Sequence, residues 1–573
     1  MILQSLTRYY EALLSQGKIT PPGWVTAKVS YALALDDQGS LKQLLHLQDE
    51  VPRGKKMVLT PRSMEVPAPA KRSANVAASF LCDNCGYLLG MDKGNPARTA
   101  ECFAASKALH LDLLKNAGSP AARAVIRFFE TWDPSQAKAH PALQEDLEDL
   151  MKGGNLIFWY HNQPVTQDAA IREAWQAQYA STNAEKAVCL VTGRYAPMAR
   201  LHPSIKGVSG AQSTGASMVS FNAPAFCSFE HEQGANAPTS EYAAFAYTTA
   251  LNHLIADRDH MRRVGDTTIV CWADNGEPAY QDCMMACMYD DSYTEQDIVG
   301  TLHALADGRA IDWQESRLNP DMRFYVLGLA PNAGRLSVRF FWQNTFGTLA
   351  RNLARHYDRL NIIRPSFDTR LTLPVWQLAR ETVNLNARTP EPNPRLAGDL
   401  LSAVLNDGRY PATLLDGVVL RIRAERNITR GRAAILKAYY LRNSQDKQLK
   451  EVMTVELNEQ STYLPYVLGR MFSVLEAIQE SANPGINTTI KDRYFNSASS
   501  TPSNVFPVLI NLAQKHLAKL DKGLSYYYSK QLTDLNSRIT ETLPTRMGLP
   551  EQSAFQIGYY HQTQKRYTKK EEK

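Results

Sequence analysis

From Leu400 to the end of the chain, apolar residues recur every three or four positions with few interruptions. Leu464, Val467, Leu468, Met471, Leu475 and Ile478 keep that step, and Leu532, Leu535 and Ile539 repeat it, with breaks at Asn483-Pro484-Gly485 and Lys522-Gly523. A stretch this long with one periodicity is confined to packed helices, and its last part predicts a terminal helical bundle. The N-terminal half follows other periods. Ile2, Leu3, Leu6, Tyr9, Tyr10, Leu13 and Leu14 make a first helix stopped by Gly17, and Trp24 to Leu35 alternates as a strand. Leu156–Tyr160, Ala187–Thr192 and Thr267–Trp272 are short apolar runs of strand type. Ala97–Leu150 and Glu241–Arg258 are helical, and Phe324–Leu329 with Leu336–Phe341 form a hairpin around Pro331-Asn332-Ala333-Gly334. Gly276–Gly308 is polar and broken, the mark of a boundary.

The expected fold class is therefore α+β. At about 100–200 residues per domain, 573 residues exceed one core. The expected organisation is a mixed region over 1–300, a hairpin with basic helices over 301–450, and a helical bundle over 451–573. The composition excludes disorder and rods, with 44% hydrophobic and 21% charged residues. No apolar run approaches the ~18–20 residues of a membrane helix. The start reads as a helix rather than a leader. Eight irregularly spaced cysteines point to a reducing, cytoplasmic compartment.

The nucleotide-motor and hydrolase signatures GxxxxGK[ST], GxGxxG after a strand, HExxH and GxSxG are all missing. Cys82-x-x-Cys85 is half of a zinc site without its second pair, since Cys102, Cys283 and Cys287 stand apart; buried thiols beside Tyr87 and Leu88 are the competing reading. His253, Asp257, Asp259 and His260 could share a metal-binding face, against the simpler reading of solvated helix residues. His202, before Pro203, would need a nucleophile and an orienting acid within reach to act in catalysis, a geometry that spacing does not fix.

Two segments carry binding chemistry. In the glycine-rich run from Leu201 to Ser217, Gly207 and Gly210 let backbone N–H groups approach a phosphate or groove edge, Lys206 offers a point charge, and Ser209, Gln212, Ser213 and Asn222 offer neutral donors and acceptors. A mere spacer would not interleave Ile205, Val208, Met218, Val219 and Phe221. The second is an arginine stripe. Leu401–Lys450 has ten Lys/Arg against four Asp/Glu, which equals the chain's whole excess of +6. Arg421, Arg423, Arg426, Arg430, Arg432 and Arg442 dominate it, and Arg351, Arg355 and Arg359 repeat at four-residue spacing on an earlier helix. Their planar forks suit the phosphates of a backbone or displaced strand, unless they pair with acids inside the fold. Lys55, Lys56, Lys71 and Arg72, among prolines, mark a basic loop.

At Thr192-Gly193-Arg194, Leu201–Val208, Gly210–Ser217, Ser220-Phe221-Asn222 and Asn236-Ala237-Pro238 the sequence resembles the large subunit of the type I-C (Dvulg subtype) CRISPR Cascade surveillance complex. Similar segments run through Met1–Leu14, Asp83-Asn84, Tyr87–Gly90, Leu327–Asn332 and Gly558–Gln562. The resemblance implies a non-enzymatic protein with no cofactor. Its partners would be crRNA, target double-stranded DNA, the backbone, crRNA-processing and small subunits, and a separate helicase-nuclease. Its work would be to recognise the protospacer-adjacent motif, aid unwinding and hold the R-loop. It further implies that a small subunit can be translated from within the gene, for which Met453, just before the terminal bundle, is the start to expect. A metal-dependent nuclease and a purely scaffolding ribonucleoprotein subunit are the rival readings.

Overall fold

The computed structural model describes residues 1–53, 56–70, 76–180, 185–289, 295–368, 370, 372–388 and 390–567. It is an α+β protein with strands concentrated in the first part of the chain and helices after Phe346. By packing, it divides into two compact units.

The first unit holds residues 3–202 and 221–249. Its larger sheet runs in the order Leu41–His46, Tyr31–Leu35, Leu156–Tyr160, Cys82–Asp83, with Gln163–Pro164 paired to Leu156–Tyr160. Tyr31–Leu35 and Leu156–Tyr160 are parallel, Leu33 opposite Phe158. Such a parallel pair needs a long crossover, and the helices Pro96–Leu114 and Pro120–Thr131 lie within it. They bring Phe128 and Phe129 edge-on to Phe158 at 5.2 and 5.6 Å between ring centroids. A second sheet orders Trp24–Val29, Lys56–Pro67 and Gln48–Arg53, all antiparallel. The run Trp24–Leu35, expected as one strand, thus breaks at Ser30 and serves two sheets. The first helix, Ile2–Ser15, sets Tyr10 edge-on against Tyr242 and Phe245.

The second unit holds residues 203–220 and 250 onward. Its sheet is antiparallel, in the order Arg262–Val264, Thr267–Ala273, Arg323–Asn332, Arg335–Thr345. The expected hairpin is present, and it is longer than its apolar pattern suggests, with a bulge at Gly328/Leu329. The stretch 276–308, expected as a broken boundary, instead holds the helices Ala279–Tyr289 and Glu295–Ala306. Ala279–Tyr289 is buried nearly all round, so it shows no amphipathic stripe to read. One face of the sheet, with Cys271, Phe324, Val326 and Trp342, shares a single apolar core with the helices that follow, out to Tyr560. That core runs without a break through Leu436, Met453 and Leu468.

Helix starts follow the sequence. Thr345 caps Phe346–Leu360, Thr429 caps Arg430–Asn443, Asp521 caps Lys522–Asn536, and Thr489 with Asp492 forms a capping box on Ile490–Ser500. The helices Leu464–Ala482 and Leu549–Tyr567 cross in close backbone contact at Gly469 and Gly558. A Cβ on Gly469 would strike the Phe555 carbonyl, and one on Gly558 that of Tyr466. Among the described residues, no helix is long and apolar enough to cross a membrane.

Candidate nucleic-acid interface

The segment Pro203–Ser220 is a loop closed on itself by main-chain bonds. Ile205 and Ala216 exchange N–H and C=O at 2.9 Å in both directions. Ile205, Val208 and Ala216 are buried and anchor it, while Lys206, Gly207, Gly210, Gln212 and Ser213 are exposed and Ser209 is half-buried. The alternation of apolar and polar residues in the sequence is thus an alternation of anchors and presented groups.

Five bonds pin the loop to its neighbours. The Lys206 N–H donates to Asn252 Oδ1 at 2.8 Å, and Asn252 Nδ2 donates to the Ser204 carbonyl at 3.1 Å. The Ser209 N–H donates to Thr268 Oγ1 at 3.2 Å. Ser217 pairs with the hairpin turn, its N–H donating to the Gly334 carbonyl and its carbonyl accepting from Leu336, both at 3.0 Å. Gly207 and Gly210 are required here. Both have positive φ, +82° and +79°, and a Cβ would stand 2.9 Å from Ile255 Cγ2 in the first case and 3.1 Å from Pro331 Cγ in the second. At Gly334 a Cβ would lie 3.9 Å from Gln212 Oε1.

The product is a rigid ridge in which Lys206, Gln212 and Ser213 are presented beside the exposed hairpin tip Asn332–Gly334. Among the described residues the Lys206 ammonium has no carboxylate partner. A point cation, a carboxamide and a hydroxyl on a fixed backbone are groups that contact phosphate and read base edges. Asn332 does not stand out in the sequence. Its place in a turn is legible there, but nothing in the spacing sets that turn beside Gln212. Asn222 falls in the first unit, not in this loop's.

The arginine stripe is less uniform than its sequence. Arg430 and Arg432 have side chains only 6% and 4% exposed. Arg430 pairs with Asp368 at 3.3 Å, and Arg432 with Glu425 at 2.6 Å and Glu381 at 3.5 Å. Burial lowers the Arg430 guanidinium against the pull of Asp368, and burial raises the Glu381 carboxyl despite Thr429 and Arg432. These two arginines are spent inside the fold, which corrects their expected role as phosphate contacts. Arg421 is largely buried beside Glu425 at 3.7 Å. Arg426 ends its helix in the left-handed region at φ 51°. Arg355, Arg359 and Arg442 converge on Asp407. Burial pushes that carboxyl up, but the arginines outweigh it and hold it below the usual range. Exposed members are Arg355, at the rim of that cluster, Arg351, which donates to the Ala306 carbonyl at 3.0 Å, and Arg423, which donates to Gln552 Oε1 at 2.6 Å. Lys55, Lys71 and Arg72 lie outside the described residues, as does the Lys56 side chain.

The metal readings meet specific geometry. His260 is clamped between two carboxylates, with Nδ1 2.6 Å from Asp257 and Nε2 2.6 Å from Asp282. Burial lowers its pKa, but the two carboxylates outweigh that and raise it. An imidazolium donating from both nitrogens has no lone pair for a metal. Cys85 donates its S–H to the Leu150 carbonyl at 3.2 Å, and burial pushes the Cys82 and Cys85 thiols up to about 12 and about 11. His202 hydrogen-bonds the Tyr247 hydroxyl at 2.6 Å, and burial lowers its pKa to about 4. It is a neutral packing histidine.

Compared with known proteins, residues 6–567 match the model of a family described as CRISPR-associated protein (Cas_Csd1). No curated protein matches the chain.

Proposed function

The chain belongs to the Cas_Csd1 family of CRISPR-associated proteins, and from that premise we propose that it is the large subunit of a crRNA-guided type I-C surveillance complex, reading the protospacer-adjacent motif on duplex DNA with the loop Pro203–Ser220. In this reading base pairing with crRNA selects the target, and the protein tests the short flanking motif, opens the duplex and holds the R-loop. The observation that carries it is the ridge of Lys206, Gln212 and Ser213, exposed yet fixed by Ser209, Ser217 and Asn252. Mobile side chains on a mobile loop would lose much of their binding energy to ordering; here the backbone is already ordered. Exposed Arg351 and Arg423 supply sequence-independent attraction to phosphate.

The partners that follow are crRNA, target DNA, the backbone, processing and small subunits, and a separate helicase-nuclease that does the cutting. The chain itself acts by binding rather than catalysis, in the cytoplasm. The metal-nuclease reading loses support at His260, whose ring is taken by Asp257 and Asp282. The test is a gel-shift of the assembled complex, with and without this chain, on duplexes that carry or lack the motif. Discrimination should require the chain. Equal shifts of both duplexes by the full complex would leave only the scaffolding reading.

A further inference from the structure

The helical part of the second unit holds a cleft of about 580 Å³, bordered by the Arg430–Asp368 pair and by Glu381 with Thr429 described above. It lies among residues 365–368, 370 and 373 and the helices Arg430–Asn443, Ile490–Ser500 and Leu549–Tyr567. That volume is in the range of small-ligand sites. Its lining combines three kinds of group. Phe367 and Tyr567 are aromatic and face solvent, 86% and 61% exposed. A phenylalanine so exposed contributes little to the core and leaves its face open beside the cleft for the stacking of a planar ring, while the Tyr567 ring has the Arg566 guanidinium 5.6 Å from its centre.

The second kind is cationic. Arg370 is half exposed and shares Asp368 with the buried Arg430, so two guanidiniums rest on one carboxylate. The Lys491 ammonium stands 5.6 Å from the centre of the Tyr559 ring and has no carboxylate partner among the described residues. The third is an unmet acceptor. Gln377 Oε1 is buried in the lining and finds no donor among the described residues. A buried carbonyl without a donor is costly, and an amino group delivered by a ligand would satisfy it.

We propose that this cleft binds one nucleotide unit. Its base stacks on Phe367 and Tyr567, its phosphate pairs with Arg370 and Lys491, and an exocyclic amino group donates to Gln377. An unpaired base of a single strand and a free mononucleotide share this chemistry. The first source rests on the function proposed above, because an opened duplex supplies unpaired bases; the cleft itself does not.

The experiment uses the full chain and two probes, a single-stranded oligonucleotide carrying 2-aminopurine and adenosine monophosphate. Wild type should quench 2-aminopurine on binding. Phe367→Ala should abolish the quench and weaken the oligonucleotide by roughly 5- to 150-fold, the range for loss of one stacked base, whereas Phe367→Trp should retain both. Arg370→Ala should weaken binding of either probe. Adenosine monophosphate bound in equilibrium dialysis, and lost in Phe367→Ala, would assign the free nucleotide as a source. If Phe367→Ala and Arg370→Ala bind both probes as wild type does, the proposal is wrong. Motif discrimination by complexes carrying these variants should stay as in wild type. Its loss only in loop variants keeps the two readings separable.

Discussion

Ser217 donates its main-chain N–H to the Gly334 carbonyl at 3.0 Å, and this bond joins the glycine-rich loop to a hairpin turn distant from it in sequence. The loop therefore presents Lys206 and Gln212 from a fixed backbone. Lys206→Ala and Gln212→Ala should leave assembly intact, and each should cost about 1–3 kcal/mol of discrimination where its side chain bonds a base edge. Titrating the variant complexes against motif-bearing and motif-lacking duplexes measures this. Unchanged discrimination in both variants would move motif reading elsewhere in the complex.

The arginines should divide into two behaviours. Arg430→Ala leaves the buried Asp368 with only the half-exposed Arg370 beside it and should destabilise the chain by about 1–3 kcal/mol, seen in a thermal or urea melt. Arg351→Ala and Arg423→Ala remove exposed charges. Arg351→Ala should leave the melt nearly unchanged, Arg423→Ala should lower stability by about 1 kcal/mol through the lost bond to Gln552, and each should flatten the slope of log K against log salt by roughly 0.7–0.9 for every phosphate no longer neutralised. A stable Arg430→Ala chain with a flattened slope would reverse the assignment.

Stability should depend on pH through His260. Its folded pKa is raised above the ordinary value near 6.5, because Asp257 and Asp282 outweigh burial. Asp259 and Arg262 are the other charged groups lining that hollow. A raised folded pKa gives stability that is complete below the unfolded value and is lost as pH rises through the folded one. The melting gap between wild type and His260→Gln should accordingly be widest near pH 5–6 and narrow at alkaline pH. A gap independent of pH would show that the clamp holds a neutral ring.

Much of this fold is legible in the sequence because period and caps agree. The first helix, Ile2–Ser15, is found where the spacing of Ile2 to Leu14 puts it, ahead of Gly17. The polar loop is legible too, because apolar anchors interleave its glycines. What is not legible depends on distant partners. Alternation through Trp24–Leu35 cannot show that Ser30 hands the chain from one sheet to another. Charge counting cannot show that Arg430 meets Asp368, 62 residues away, or that Arg432 meets Glu381. The nucleotide cleft is invisible for the same reason: Phe367, Arg370, Gln377, Lys491 and Tyr567 carry no common spacing.

The crossing at Gly469 and Gly558 should tolerate no side chain. Gly558→Ala pushes a methyl into the Tyr466 carbonyl, and Gly469→Ala into that of Phe555. Because the obstacle is backbone rather than a flexible side chain, the helices must separate. Each change should cost about 1–3 kcal/mol or more in a melt. A neutral Gly558→Ala would mean that the helices pack less closely in solution.

The terminal bundle should not be self-sufficient. A chain starting at Met453, the internal product implied by the resemblance, keeps the helices from Leu464 onward but loses Arg430–Asn443. With that helix and its neighbours go the partners of the last helix. Tyr440 meets Ser553 at 3.1 Å, Arg423 donates to Gln552 at 2.6 Å, and the Ile363 carbonyl accepts from Tyr560 at 2.7 Å. Met453 itself is buried in the core common to both parts. Residues 453–573 expressed alone should therefore expose an apolar face, bind a hydrophobic dye and self-associate on size exclusion, whereas a piece extended back to Phe346, which regains Ile363 and Arg430–Asn443, should bind much less dye. Partner subunits that cover the exposed face would suppress the self-association when added. A monomeric 453–573 fragment with a sharp melt and no dye binding would show that the bundle closes its own core, and that its packing on Arg430–Asn443 is docking rather than folding.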